Sequence, residues 1–206
     1  MVRIYLTWLL VLTTSCINAQ DFTDQVSTVE TNIFKVIYSH TKEQPVRLTY
    51  KSSNRVKNVD RGSMNFYTEN KYHTSDNDDY YGNIWDKGHL APAATFSDSK
   101  KNLTQTFSYL NCALQNQYLN RGAWRLLEQQ ERKWDDTQEL IITVDVEFSD
   151  NVIPTGATVP SSFTKHIKFT EENSYKCYFF PNERPTKSWK GYRVTHSHTE
   201  NKRKKS

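Results

Sequence analysis

Long apolar runs are almost missing from this 206-residue chain. The longest covers residues 4–12, too short to cross a bilayer as a helix, so no segment reads as a membrane span. Glycine and proline are scarce at six each, which excludes collagen-like, repetitive or largely disordered organisation. Only three cysteines occur, Cys16, Cys112 and Cys177, and none has the spacing of a zinc site. Excess charge is lacking too. The formal net charge is +4, but Arg3, Lys202, Arg203, Lys204 and Lys205 supply five of the 27 basic residues. Without them 22 basic residues stand against 23 acidic ones. A polyanionic partner would therefore be met by a local patch and a metal ion, not by the field of the whole molecule.

What the chain has in quantity is aromatic area, with 5 Trp, 12 Tyr and 10 Phe. With this length, that suffices for one domain with a sizeable core and not for two. Arg3, the apolar residues 4–12, small Thr13, Thr14 and Ser15, and Ala19 before Gln20 follow the layout of a secretory signal peptide cleaved after Ala19. The competing reading is a lipid anchor at Cys16. Export, to the outside or to the cell envelope, is expected either way. Cys112 and Cys177 then form an even pair, read either as a disulfide or as two buried thiols. The resulting layout is a signal peptide over 1–19, a polar, loosely attached lead over 20–32, one domain over 33–195 and a basic disordered tail over 196–206.

Residues 33–38 and 46–50 alternate as strands around a polar turn, and 72–82 reads as a surface loop. Further strands are expected at 107–114, 141–146, 159–167 and 175–180, the last closed by Pro181-Asn182. The best helix is 119–133, with Gly122 as its weak point. Strands outnumber helices without βαβ alternation, so the fold class is α+β with a largely antiparallel central sheet and flanking helices.

Two segments carry chemistry. In Trp85-Asp86-Lys87-Gly88-His89-Leu90-Ala91-Pro92, Gly88 and Pro92 imply a tight, rigid turn around a histidine whose ordinary pKa suits a general base. Downstream, Asn120, Trp124, Glu128 and Arg132 recur every four residues. On a helix each such step advances about 40° around the axis and about 6 Å along it, so the four form one drifting stripe. Glu128 and Arg132 are oriented for a helical ion pair. Asn120 and Glu128 suit a hydrated Mg²⁺, which keeps several waters and needs few protein ligands; the alternative is a surface salt bridge between Glu128 and Arg132, with Asn120 as a helix-start residue.

These segments resemble the DNA/RNA non-specific endonucleases, the ββα-metal group that includes endonuclease G. Asp86-Lys87-Gly88-His89-Leu90-Ala91-Pro92 stands where that family has Asp-Arg-Gly-His followed by Leu/Gln-Ala-Pro/Ala. Asn111, Gln115, Asn120, Trp124, Glu128 and Arg132 match its second motif. Val159-Pro160, Phe163, Lys165 and Phe180-Pro181-Asn182 match later segments.

The resemblance implies hydrolysis of phosphodiester bonds in DNA and RNA, with little base preference and 5′-phosphate products. It implies that His89 is the general base and that Asn120 is the one direct protein ligand of Mg²⁺, or of Mn²⁺ in its place. Glu128 would hold a metal-bound water, and Arg132 would orient Glu128 or face a phosphate. Lys87 and Asn111 become substrate-binding candidates. Two departures stand out. Lys87 replaces an arginine, keeping the charge and losing the bidentate fork. The upstream family arginine has no match, and Arg47 and Lys42 are the nearest cations. The rival reading is therefore a family member that binds nucleic acid with weak or no cutting.

Overall fold

The computed structural model describes residues 25–195. The signal-peptide and Cys16 readings and the basic tail fall outside them. Seven strands form one antiparallel sheet in the order β1-β2-β3-β6-β7-β8-β9. They are β1 (Val26–Glu30), β2 (Phe34–Ser39), β3 (Gln44–Ser52), β6 (Leu140–Val152), β7 (Thr158–Phe169), β8 (Ser174–Pro181) and β9 (Arg193–Val194). Neighbours in space are neighbours in sequence except between β3 and β6. There the chain leaves the sheet, builds the antiparallel pair β4 (Trp85–His89) and β5 (Cys112–Asn116), and adds α1 (Lys100–Gln105), α2 (Gln117–Leu119) and α3 (Arg125–Trp134). An α+β fold with a large antiparallel sheet is thus observed, and β4, β5 and the helix after them form a ββα unit.

Period-two patterning explains the sheet. Leu48 and Tyr50 of β3, Ile142 and Val144 of β6, Phe163 and Ile167 of β7 and Phe180 of β8 are buried on one face. Trp124 and Leu127 join them in the same core from the helical side. Trp124, a member of the expected stripe, is fully buried, with ring centroids 5.5 Å from Phe163 and 5.6 Å from Phe180. It is core and not site.

Three expectations are corrected. Residues 26–30, read as part of a loose lead, pair with β2 as an edge strand. The strand expected at 107–114 begins only at Cys112, after a 3₁₀ turn over Tyr109–Asn111. The helix over 119–133 is interrupted: Asn120–Trp124 form a π turn in which Gly122 takes non-helical angles (φ −106, ψ −110). A residue without Cβ adopts such angles at low cost, and the stripe shifts register there. Cys112 and Cys177 are both free and buried, which decides between the two cysteine readings. Among the described residues no helix is long and apolar enough to cross a membrane.

The helix is tied to the sheet by charge as well as by apolar contact. Glu131 of α3 and Lys165 of β7 are completely buried and lie 3.1 Å apart. Tyr50 donates its hydroxyl to Glu131 Oε2 at 2.9 Å, and Lys165 Nζ sits 4.0 Å from the Trp124 ring centroid. One turn on, Asp135 is also buried and takes Lys57 at 2.9 Å and the Ser52 hydroxyl. Removing one partner of a buried pair leaves an uncompensated charge, at a cost of about 3–5 kcal/mol. Lys165→Met is expected to lose stability on that scale in urea unfolding. Lys165→Met combined with Glu131→Leu should recover most of it.

Candidate active site

The β4–β5 pair is held from both sides. Asn182, just past β8, accepts the Asn116 N–H at 2.7 Å and donates to the carbonyls of Leu114 at 2.9 Å and Pro160 at 2.8 Å. The Pro-Asn and Val-Pro segments noted in the sequence are therefore clamps that fix β5 against the main sheet. Gly88 lies within β4, and the chain turns only after His89. Its missing side chain answers to packing: a Cβ there would stand 2.5 Å from the Cβ and Oε1 of Gln115.

The turn after His89 is fastened by Asn111. This side chain is fully buried, accepts from the Ala91 N–H at 2.7 Å, and donates to the carbonyls of Ala91 and Thr106 at 2.9 Å each. Asn111 is thus spent on the backbone beside His89 and is out of reach of a ligand, contrary to the substrate-binding expectation.

One cavity of about 520 Å³ brings together His89, Asn120, Glu128, Arg61, Arg121 and Arg125. Asp86 holds two of the lining residues in place. Its carboxylate takes a fork from Arg121, with Nε at 2.8 Å and Nη2 at 2.6 Å, and the Asn120 Nδ2 at 2.9 Å. With its amide nitrogen committed to Asp86, Asn120 has its amide oxygen left to meet a cation. His89 packs against both Phe66 and Phe107, with ring centroids 4.9 and 5.1 Å away, and its Nε2 is buried without a hydrogen-bond partner. Burial, with the Arg61 charge adding to it, lowers the imidazole pKa to about 3. Burial raises the Glu128 carboxyl to about 7, Glu131 adding to this while Lys165 and Arg132 oppose it.

The other predicted residues are placed differently. Arg132 does not line the cavity, and among the described residues it makes no ion pair with Glu128. Its Nη1 is buried without a hydrogen-bond partner. Lys87 does not line the cavity; it donates to the Asn77 side-chain oxygen, with its ammonium 5.4–5.7 Å from the ring centroids of Phe66, Tyr80 and Tyr109. Successive strand residues face opposite ways, so Asp86 reaches the helix and Lys87 the aromatic cluster. Lys42 and Arg47 are also elsewhere: Lys42 lies over the Phe148 ring, and Arg47 pairs with Asp145 on the sheet.

Sequence reasoning missed the three arginines. Arg121 and Arg125 flank the stripe positions, and their four-residue spacing was available as a signal. Arg61 comes from the connection after β3, and only its Asp-Arg-Gly setting marks it. Its guanidinium lies 4.8 Å from the Phe107 ring that also packs on His89. These three arginines line one cavity of a body whose charges nearly cancel, with Arg121 paired to Asp86. Among the described residues no cluster of three or more His, Cys, Asp or Glu side chains could hold a metal. One neutral amide oxygen with one carboxylate nearby fits only a cation that keeps most of its water, which is the preference of Mg²⁺.

Residues 13–205 match the family model for DNA/RNA non-specific endonucleases. A stretch of 82 residues is 38% identical to mitochondrial endonuclease G of Bos taurus, covering 38% of this chain and 27% of that protein. A stretch of 61 residues is 44% identical to the Homo sapiens counterpart, covering 30% of this chain and 20% of that one. The chain thus matches only about a quarter of the length of these relatives. The fold is similar, with a TM-score of 0.73 at 21% identity, to a chain in the crystal structure of the EndoG/EndoGI complex, covering 84% of this chain and 82% of that one.

Asn111→Leu removes three hydrogen bonds and strands buried backbone groups, so it should cost about 3 kcal/mol in chemical denaturation. A substrate contact alone would leave stability unchanged. The lowered His89 pKa means that its contribution to folding is present above the unfolded value of about 6.5 and is lost as pH falls toward about 3. NMR of the His89 ring in metal-free protein should show no titration between about pH 8 and about pH 5. A midpoint near 6.5 would mean a solvated ring.

Proposed function

The chain belongs to the DNA/RNA non-specific endonuclease family, and on that premise we propose that it is an Mg²⁺-dependent endonuclease cutting phosphodiester bonds in DNA and RNA and leaving 5′-phosphate ends. The observation that carries this reading is the single cavity in which His89, Asn120 and Glu128 meet three arginines.

His89 takes the proton of the attacking water. Its Nε2 is shut away from solvent, so the acceptor is Nδ1, and burial beside Arg61 keeps the ring neutral. Asn120, its amide nitrogen held by Asp86, would hold Mg²⁺ through its amide oxygen, and Glu128 would hold a water of the ion's shell. A bound Mg²⁺ supplies Lewis-acid stabilisation of the charge that gathers on the phosphate oxygens and the departing 3′ oxygen. Arg61, Arg121 and Arg125 contact the phosphodiester backbone, which carries no base information, so little sequence preference results. Arg61 takes the arginine role left open upstream. Arg132 acts on Glu128 through its charge and is a positioning residue.

The N-terminal pattern supports export of the protein as part of the same proposal, with release into the medium or envelope as its destination.

The test is cutting of circular plasmid and of RNA with and without Mg²⁺. His89→Ala and Asn120→Ala should each lose at least about a hundredfold in rate, as expected for removal of a general base or a metal ligand. Arg61→Ala should weaken cutting of every sequence alike. Full cutting by His89→Ala would overturn the mechanism. Binding without cutting by the wild type under several divalent metals would favour the binding-module reading.

A further inference from the structure

The second face of the sheet carries a constellation unrelated to the cavity above. Arg47 of β3 stands opposite Asp145 of β6, and His166 of β7 stands opposite Cys177 of β8. Asp145 lies one diagonal step from His166, close enough for a ring to bridge two strands. The bridge is made. His166 Nε2 is 3.3 Å from Asp145 Oδ2, and His166 Nδ1 is 3.5 Å from Cys177 Sγ. Asp145 is itself held by the Arg47 guanidinium. A nucleophile, a base and a carboxylate that orients the base are therefore aligned in one row.

Cys177 is only 4% exposed, yet it forms part of the wall of a cavity of about 400 Å³ shared with Tyr175, Arg193, Val194 and Thr195. We infer that Cys177, His166 and Asp145 form a reactive-thiol site that is oxidised by small peroxides entering this cavity.

Several observations favour this over a structural thiol or a metal centre. Burial opposes a charge on His166, but the Asp145 carboxylate and the Cys177 sulfur beside the ring outweigh it and raise the ring to about 9. The ring is therefore protonated at neutral pH, with an N–H at both nitrogens, and the one on Nδ1 faces sulfur. A cationic imidazole beside sulfur is the setting in which cysteine reacts as thiolate. Both ring nitrogens are engaged by protein groups, which suits a charge relay and not metal ligation. The chain also contains its own contrast. Cys112 is buried on β5, donates to the Tyr80 hydroxyl at 3.2 Å, and has its thiol pushed up to about 12 by burial.

The step balances. The Cys177 thiolate attacks one peroxide oxygen, the S–O bond forms as the O–O bond breaks, and sulfur is oxidised by two electrons to the sulfenic acid. The second oxygen leaves as hydroxide, takes the proton from His166 Nδ1, and departs as water.

The full chain treated with hydrogen peroxide in the presence of dimedone, followed by peptide mass mapping, tests the assignment. Cys177 should be labelled at least about tenfold faster than Cys112, and His166→Gln should remove about tenfold of that rate. Equal labelling of Cys177 and Cys112, or an unchanged rate in a folded His166→Gln, would overturn it. Should that variant fail to fold, the wild type decides: iodoacetamide at neutral pH should alkylate Cys177 at least about tenfold faster than Cys112, and equal rates would overturn the site. Nuclease activity is not the readout, so failure here leaves the proposed function standing, and the reverse also holds.

Discussion

The buried contact between Glu131 and Lys165, completed by the Tyr50 hydroxyl, is the constraint on which the site depends. Apolar packing of Leu127 and Trp124 tells α3 which side to bury but tolerates sliding and rotation. An ion pair in a low-dielectric core does not, because any displacement strands two charges. With Glu131 fixed, Glu128 is fixed less than one turn away. Its carboxyl then lies near Glu131, Lys165 and Arg132, which together with burial set its protonation. The charged pair therefore reaches the chemistry without touching it.

The main sheet is a meander broken once, and everything in the candidate active site belongs to the break. That division separates rigidity from chemistry. Long strands β6 and β7 provide a base with many backbone bonds, while the excursion between β3 and β6 carries His89, Asn120, Glu128 and the three arginines. Asn182 clamps the two parts together at β5, and two further polar clamps brace the excursion itself: Asn111 on the turn after His89, and Asp86 on Asn120 and Arg121. Each spends buried or half-buried hydrogen-bonding capacity on position. Arg61, Arg121 and Arg125 then concentrate positive charge in one cavity of a body whose charges nearly cancel.

Much of the architecture was legible from pattern. Pattern located β2, β3, β7 and β8 to within two residues, and the first half of β6, because an open sheet buries alternate side chains. The helix was legible as a helix but not in its register, since a single glycine cannot show whether it will be tolerated or exploited. At Gly122 it is exploited, and the four-residue stripe places Trp124 in the core while Asn120 turns toward Asp86. Of the predicted site residues, His89, Asn120 and Glu128 converge. Arg132 stays behind the wall, Lys87 faces the aromatic cluster, and Asn111 is sealed inside.

The sequence by itself determined most of the element types, the aromatic core and the motif that marks the family, because these depend on residue type and on spacing within one element. The tertiary structure decided what each polar group is for. Arg61 reaches His89, Asn111 is removed from ligands, and Cys177 and Cys112 acquire opposite surroundings only when distant strands are laid side by side. Burial and neighbouring charge set the chemistry of an ionisable group, and both are properties of the fold and not of the segment that carries it.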